Sequence, residues 1–160
     1  MAELALMFAS RVQHIKEVIE PGLAAGSIVL CDRFTDSSEA YQGGGRKLGS
    51  EPILKLHRIL CGDLQPDLTI LMDSDAAASV ERARRRNKTH STRNLKGERD
   101  ENRFEQESRT FFGRVRHAYL ENAKREPKRV VIVNARGTRQ ETHAAILDVV
   151  RRKLKITVSG

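Results

Sequence analysis

The chain has 160 residues, which suits one domain with a single core. Its content of 39% hydrophobic and 31% charged residues is typical of a soluble globular protein. No apolar run approaches the roughly 20 residues of a membrane span, and the apolar N-terminus carries Glu3 with no basic segment before it, unlike a signal peptide. The net charge of +8 indicates an anionic partner.

The first part of the chain predicts two helices around one buried strand. Apolar residues at helical spacing predict an amphipathic helix over 2–19, which the pair Pro21-Gly22 interrupts. Ser27–Cys31 is a continuous apolar run, typical of a buried parallel strand. After a polar loop with three glycines, a serine and a nearby proline begin a helix over 50–60.

The rest of the chain repeats the alternation of strand and helix. Continuous apolar runs predict two further buried strands, over 67–72 and 130–133. The other predicted elements are a helix over 75–83, a polar basic stretch over 84–102, a long helix over 104–119, and a last helix that a capping box of Thr138 and Glu141 begins. This order predicts one α/β domain over 1–154 with a mostly parallel sheet, followed by a tail over 155–160.

Polar side chains follow the predicted strands at their carboxyl ends, where open α/β sheets bind ligands. They are Asp32 and Arg33, Asp73, and Asn134. Arg33 precedes a loop with three glycines and Arg46, and arginine forks and close backbone approach both suit a phosphate ligand. The alternative interpretation is a surface ion pair between Asp32 and Arg33.

Four segments carry a family resemblance. The run Cys31–Arg46, with Asp-Arg-Phe leading into Tyr-Gln-Gly, resembles the signature of bacterial thymidylate kinases, and Leu6–His14 resembles their thymine-binding helix. Gln65–Thr69 and Arg103–Glu107 resemble further family motifs. The resemblance implies a three-layer α/β/α sheet of the P-loop NTPase type and transfer of the ATP γ-phosphoryl group to dTMP with Mg²⁺. It also implies a cytoplasmic homodimer that binds neither nucleic acid nor membrane.

The resemblance also implies a dTMP site. Phe8 would stack on the thymine ring, and Arg11, one helical turn later, would reach the carbonyl edge of the base. Ser38 and Gln42 would lie against the base and sugar, and Arg33 would hold the acceptor phosphate. The alternative interpretation of Phe8 is an ordinary core residue.

The remaining implied roles concern phosphoryl transfer. Asp32 would lie near the migrating phosphoryl group and its Mg²⁺, although the sequence itself offers no dedicated set of metal ligands. Residues 82–103, with nine Lys or Arg and three acids, would form a lid over ATP. The lid candidates are Arg82, Arg86 and Arg103, and the candidates on the adenine side are Asn134 and Arg136. The alternative interpretation of the lid is a solvated basic loop.

The family's P-loop motif, GxxxxGK[ST], does not occur in these 160 residues. We therefore expect an N-terminally truncated chain that lacks the family's first strand, P-loop and first helix. Alone, it should not turn over, and it should be unstable or form its sheet abnormally. The alternatives are a non-catalytic nucleotide-binding remnant and a nucleic-acid-binding protein. The second is disfavoured because residues 82–103 contain no aromatic side chain for base stacking.

Overall fold

The computed structural model describes residues 2–74 and 98–155, and the chain divides into two compact units, Met1–Gln65 and Pro66–Gly160. The first unit is helical. Its elements are α1 (Ala2–His14), a π-helical turn (Ile15–Ile19), α2 (Glu20–Ala24), α3 (Thr35–Ser38), a second π-helix (Glu39–Gly45) and α4 (Ser50–Cys61). The prediction of a single domain over 1–154 stays a prediction.

The core of the first unit forms between α1 and α4. Leu4 and Phe8 lie four residues apart and therefore share one face of α1, where they pack with Ile53 of α4. All three side chains are at most 1% exposed. This packing fixes α1 against the segment that follows Asp32 and Arg33, because α4 also contacts α3 and the second π-helix.

The predicted interruption at Pro21 and Gly22 is wrong, since the helical backbone continues to Ala24. The π-helical turn Ile15–Ile19 precedes this point, and the Glu20 amide bonds back five residues to the Ile15 carbonyl. Proline lacks an amide hydrogen, and it is tolerated where a helix changes its hydrogen-bonding register or begins a new first turn. Pro21 occupies such a position at the start of α2.

The strand predicted over Ser27–Cys31 is also wrong, because this segment has no regular secondary structure. The side chains of Ile28 and Leu30 are 73% and 98% exposed. An apolar run becomes a strand only when a neighbouring strand satisfies its amides and carbonyls, and no described strand pairs with this segment.

The second unit contains a parallel sheet, which confirms the predicted α/β class. Within residues 66–74 and 98–155 its elements are β1 (Thr69–Asp73), α5 (Glu98–Arg125), β2 (Val130–Asn134) and α6 (Arg139–Leu154). The strands pair in parallel from Thr69 opposite Val130 to Asp73 opposite Asn134. Among the described residues of this unit, the buried apolar side chains are Val115, Ala123, Val130, Val133 and Val149.

The capping box at the start of α6 is confirmed. The Thr138 hydroxyl accepts from the Glu141 amide at 3.2 Å, and the Glu141 carboxylate accepts from the Thr138 amide at 2.7 Å. The long helix predicted from residue 104 begins earlier than expected, because α5 already begins at Glu98. The predicted helix over 75–83, most of the proposed lid, and residues 156–160 lie outside the described residues.

No helix in the described ranges is both long enough and apolar enough to cross a membrane.

Candidate functional site

Asp32 and Arg33 lie on an exposed turn before α3. Arg33 has a backbone φ of 70°, a left-handed conformation that costs a non-glycine residue about 1 kcal/mol or more. Its guanidinium lies 5.0 Å from the centre of the Tyr41 ring, and its Nη2 lies 3.5 Å from the Tyr41 hydroxyl. Two contacts to Tyr41 therefore hold an exposed cation beside an exposed carboxylate, an arrangement that suits a phosphate and its metal ion.

Arg11 connects α1 to the segment around α3. Its Nη2 donates to the Ser38 hydroxyl at 2.8 Å and to the Phe34 carbonyl at 3.3 Å. The guanidinium carbon lies over two aromatic rings, 4.6 Å from the Phe8 centre and 5.4 Å from the Phe34 centre. Burial lowers the pKa of Arg11, but a guanidinium remains charged at neutral pH. A half-buried cation thus lies between two rings.

Phe8 itself is completely buried in the core of the first unit. One face of its ring is covered by the Arg11 guanidinium. The stacking role that the resemblance implies for Phe8 therefore requires Arg11 to turn away from the ring. In the present arrangement Phe8 supports Arg11 from below, as a core residue does.

Gln42 belongs to the same polar cluster through Glu3 of α1. Its Nε2 donates to Glu3 Oε1 at 2.8 Å, and Arg46 Nη2 donates to Glu3 Oε2 at 3.3 Å. Ser38 and Gln42 are four residues apart on consecutive helical turns, so that their side chains share one face. The π-helix that carries Gln42 is a rare geometry that occurs frequently at functional sites.

Two of these buried side chains have an atom without a hydrogen-bond partner. Within residues 2–74 these atoms are Arg11 Nη1, which can only donate, and Gln42 Oε1, which can only accept. A buried polar atom without a partner costs about 1–3 kcal/mol. A ligand carbonyl oxygen could accept from Arg11 Nη1, and a ligand N–H group could donate to Gln42 Oε1.

The carboxyl ends of the two strands form a separate polar group in the second unit. Asp73 receives two hydrogen bonds from Arg116 of α5, from Nε at 2.6 Å and from Nη2 at 2.7 Å. These bonds lower the pKa of Asp73. Asn134, which lies opposite Asp73 in the sheet, accepts from the Arg136 backbone amide at 3.0 Å. Asn134 and Arg136 are both exposed. The two candidates for the adenine side therefore lie together at the end of β2.

The side chains of the three lid candidates lie outside the described residues. Arg82 and Arg86 lie outside the described residues, and so does the side chain of Arg103, although its backbone belongs to α5. Their assignment to phosphoryl transfer stays a prediction.

Several supporting residues were not predicted from the sequence. Glu3 and His57 contact the segment 34–46 from α1 and α4, and Arg116 binds Asp73 from α5. These partners are 22 to 43 residues apart in the chain, and no spacing rule links residues at such distances. The only local signal is a charged residue beside the apolar positions of a helix.

Comparison with known proteins gives a consistent result. The family model described as "Thymidylate kinase" matches residues 1–146. The chain is 46% identical over 158 residues to the thymidylate kinase of Pelobacter propionicus, covering 98% of this chain and 69% of that protein. It is 45% identical over 144 residues to that of Pseudomonas syringae pv. syringae, covering 90% of this chain and 63% of that protein.

The crystal structure of thymidylate kinase from Ehrlichia chaffeensis superposes with a TM-score of 0.68 at 26% sequence identity. This match covers 97% of the present chain and 65% of that one. The chain thus spans about two thirds of the length of the relatives that it matches.

Proposed function

Since this chain belongs to the thymidylate kinase family, we propose that it forms the dTMP-binding part of a kinase that transfers the γ-phosphoryl group of ATP to dTMP, giving dTDP. The observation that carries the proposal is the pair of unpartnered buried atoms, Arg11 Nη1 and Gln42 Oε1. Their donor and acceptor match the edge of thymine, which presents carbonyl oxygens on either side of one N–H group.

Discrimination among pyrimidines follows from the same two atoms. At positions 3 and 4 of the ring, cytosine carries an unprotonated nitrogen and an amino group where thymine carries an N–H and a carbonyl, whereas both bases carry a carbonyl at position 2. We place Arg11 Nη1 at the position-4 carbonyl of thymine and Gln42 Oε1 at the N–H, so that cytosine would oppose a donor to Arg11 Nη1 and an acceptor to Gln42 Oε1. Sites built to pair polar groups reject ligands that leave those groups unpaired. Uracil keeps the pattern of thymine and lacks only the methyl group.

We assign the acceptor phosphate to Arg33, whose guanidinium is exposed and held at Tyr41. Mg²⁺ enters with ATP, as part of the substrate, and neutralises charge on the phosphates. Asp32, the adjacent exposed carboxylate, would hold that ion through its water shell. The acceptor phosphate needs no strong base, because its second pKa of about 6 leaves it largely ionised at neutral pH. Positioning and charge neutralisation therefore make the main contribution.

In the proposed complex Arg11 keeps its place over Phe8 and meets the edge of the base, so the stacking role of Phe8 stays a prediction. Asn134 and Arg136 would contact the adenosine end of ATP from the end of β2. We further propose that two copies associate through α1, whose side chains Leu6 and Met7 are 73% and 37% exposed. Sedimentation velocity tests the dimer.

A cytoplasmic location is proposed because Cys31 and Cys61 are free thiols, as is usual in reducing compartments.

Isothermal titration of the chain with dTMP, dUMP and dCMP tests the proposed acceptor site. We expect dTMP and dUMP to bind, and dCMP to bind at least about tenfold more weakly. Gln42→Met should reduce the preference for dTMP, so that the affinities for dTMP and dCMP become more similar. Gln13→Met is the matched control, since Gln13 is an exposed glutamine of α1 whose side chain bonds Glu17, four residues later in the chain. Equal affinity for dTMP and dCMP in the unmodified chain would contradict the proposal.

Turnover is a separate measurement: ADP formation from Mg·ATP with dTMP, using dGMP as the control acceptor. Turnover selective for dTMP supports the kinase and shows that these residues contain a phosphate cradle other than a P-loop. Selective binding without turnover supports the non-catalytic alternative for this chain. The same assay on a chain that includes a P-loop segment then tests the kinase reaction.

A further inference from the structure

His57 is a buried imidazole that the proposed chemistry does not use. It lies on α4 with 4% of its surface exposed. Its Nδ1 is 2.8 Å from the Thr35 hydroxyl, and its Nε2 is 3.0 Å from Gln65 Nε2. The ring of Phe34 stands edge-on to the imidazole, with the ring centres 5.9 Å apart. One side chain thus contacts two consecutive residues of the segment that follows Arg33.

The two hydrogen bonds suit a neutral imidazole. With the Gln65 side chain in this orientation, its amide nitrogen donates to His57 Nε2, and the proton then lies on Nδ1, from which it is donated to the Thr35 hydroxyl. A protonated imidazole would place an N–H group against the Gln65 amide nitrogen, and the contact would be lost in its present form.

The segment held by His57 is strained and carries the polar site. Arg33, two residues before Thr35, has the left-handed backbone, and such conformations persist only when their surroundings hold them. Phe34 offers its carbonyl and its ring to Arg11 while it packs against His57. His57 therefore contacts Phe34, which bonds Arg11, and Thr35, which lies two residues after Arg33.

We propose that His57 is a positioning residue for the acceptor site: its neutral imidazole holds Phe34 and Thr35, so that Arg33 and Arg11 are kept in place to receive dTMP. The inference depends on the proposed function for its ligand. The juxtaposition itself, which comprises an imidazole, a hydroxyl and a strained turn, does not depend on it.

The surroundings of His57 favour the neutral form at neutral pH. Burial lowers its pKa, and the charge of Arg11 on α1 lowers it further. A hydrogen bond with the Leu64 backbone and the charges of Asp36 on α3 and Asp63 after α4 oppose this shift. Because burial holds the folded-state pKa below the usual 6.5, the contact is intact at pH 7.5 and is lost only as the pH falls through that lowered pKa.

The first test needs no ligand. NMR spectra of the unliganded chain, recorded between pH 7.5 and 5.5, should show the Arg33 and Thr35 amide signals moving with the titration of His57. His57→Asn keeps a donor near the position of Nδ1 but does not titrate, so these signals should stay fixed in that variant. His14→Asn, an exposed histidine of the same unit, is the matched control and should titrate like the unmodified chain. Amide signals that do not follow His57 would overturn the proposal.

The second test measures the affinity of the chain for dTMP and for thymidine at pH 7.5 and at pH 5.5. The phosphate of dTMP itself titrates with a pKa of about 6, and the His57→Asn variant isolates this contribution. The unmodified chain should lose about fivefold to tenfold more dTMP affinity than His57→Asn on acidification, the equivalent of one lost hydrogen bond. An equal loss in both proteins would overturn the positioning role.

A third variant separates positioning from folding. At pH 7.5, His57→Leu should weaken the binding of dTMP more than that of thymidine, because Arg33, which is assigned to the phosphate, is displaced. His57→Asn should restore the ratio of dTMP affinity to thymidine affinity. Equal weakening of both ligands would indicate a merely structural residue. If the unmodified chain binds neither ligand while the Arg33 and Thr35 amides still follow His57, the proposed function fails and the coupling of His57 to this turn stands.

Discussion

The Arg116–Asp73 pair allows a quantitative test of how the second unit is held together. Replacing Arg116 by Met removes both hydrogen bonds to the carboxylate and keeps most of the apolar stem. Charge-assisted hydrogen bonds contribute about 1.5–3 kcal/mol, and fully exposed ion pairs contribute about 0–1 kcal/mol. The Asp73 side chain is 18% exposed and that of Arg116 is 38% exposed, so solvent screening reduces the upper figure. We expect a loss of about 1.5 kcal/mol.

The assay is urea unfolding followed by circular dichroism, which gives the free energy of unfolding by linear extrapolation. Arg152→Met is the matched control, because Arg152 bonds Asp148 at 2.7 Å with both side chains more than 60% exposed. That variant should lose less than about 0.5 kcal/mol. In a double-mutant cycle, Arg116→Met introduced into the Asp73→Asn variant should lower the free energy of unfolding much less than it does in the unmodified chain.

The stabilisation by the Arg116–Asp73 pair should depend on pH in a definite direction. Arg116 depresses the folded-state pKa of Asp73 below its usual value of 3.8, so the stabilisation is present at neutral pH and is lost as the pH falls below about 4. The stability difference between the unmodified chain and Arg116→Met should therefore shrink in that range. A difference that is absent at pH 7, or that persists unchanged in acid, would refute the reasoning.

Two further substitutions test the core and the cap by the same urea measurement. Ile53→Ala removes a fully buried side chain and should cost about 2–5 kcal/mol, whereas Ile59→Ala on the same helix, at 71% exposure, should change stability by less than about 0.5 kcal/mol. Similar losses in both would contradict the assigned core. Thr138→Ala should cost about 1 kcal/mol and Thr138→Ser much less, because serine retains the hydroxyl that caps α6. Equal losses would contradict the cap.

The elements that the sequence predicted correctly have short-range causes. The capping box depends on Thr138 and Glu141, three residues apart, and the helix Ser50–Cys61 depends on its own apolar spacing. The strands Thr69–Asp73 and Val130–Asn134 have equally local patterns, and each has the other as a partner. Ser27–Cys31 has a similar pattern without a paired strand in the described residues, and it remains irregular. Composition predicts a capacity to form a strand, and pairing decides whether it does.

The π-helices could not be predicted, because they differ from an α-helix by one residue per turn and both forms bury similar apolar faces. Their consequence for the site is specific. The second π-helix begins after Ser38 and carries Gln42, and these two residues are buried and bonded to Arg11 and to the exposed Glu3 respectively.

The residues of the candidate site also fall into two groups, those that a local motif identifies and those that only the folded structure brings near. Arg11, Ser38 and Gln42 were identified from motifs, since the chemistry of a ligand restricts which side chains can contact it. The side chains that orient them, Glu3 and His57, were not identified, because a supporting hydrogen bond can come from any element that the topology brings near. If the proposed role of His57 is correct, a motif predicts which groups meet the ligand, and the pH range over which they do so depends on a residue outside every motif.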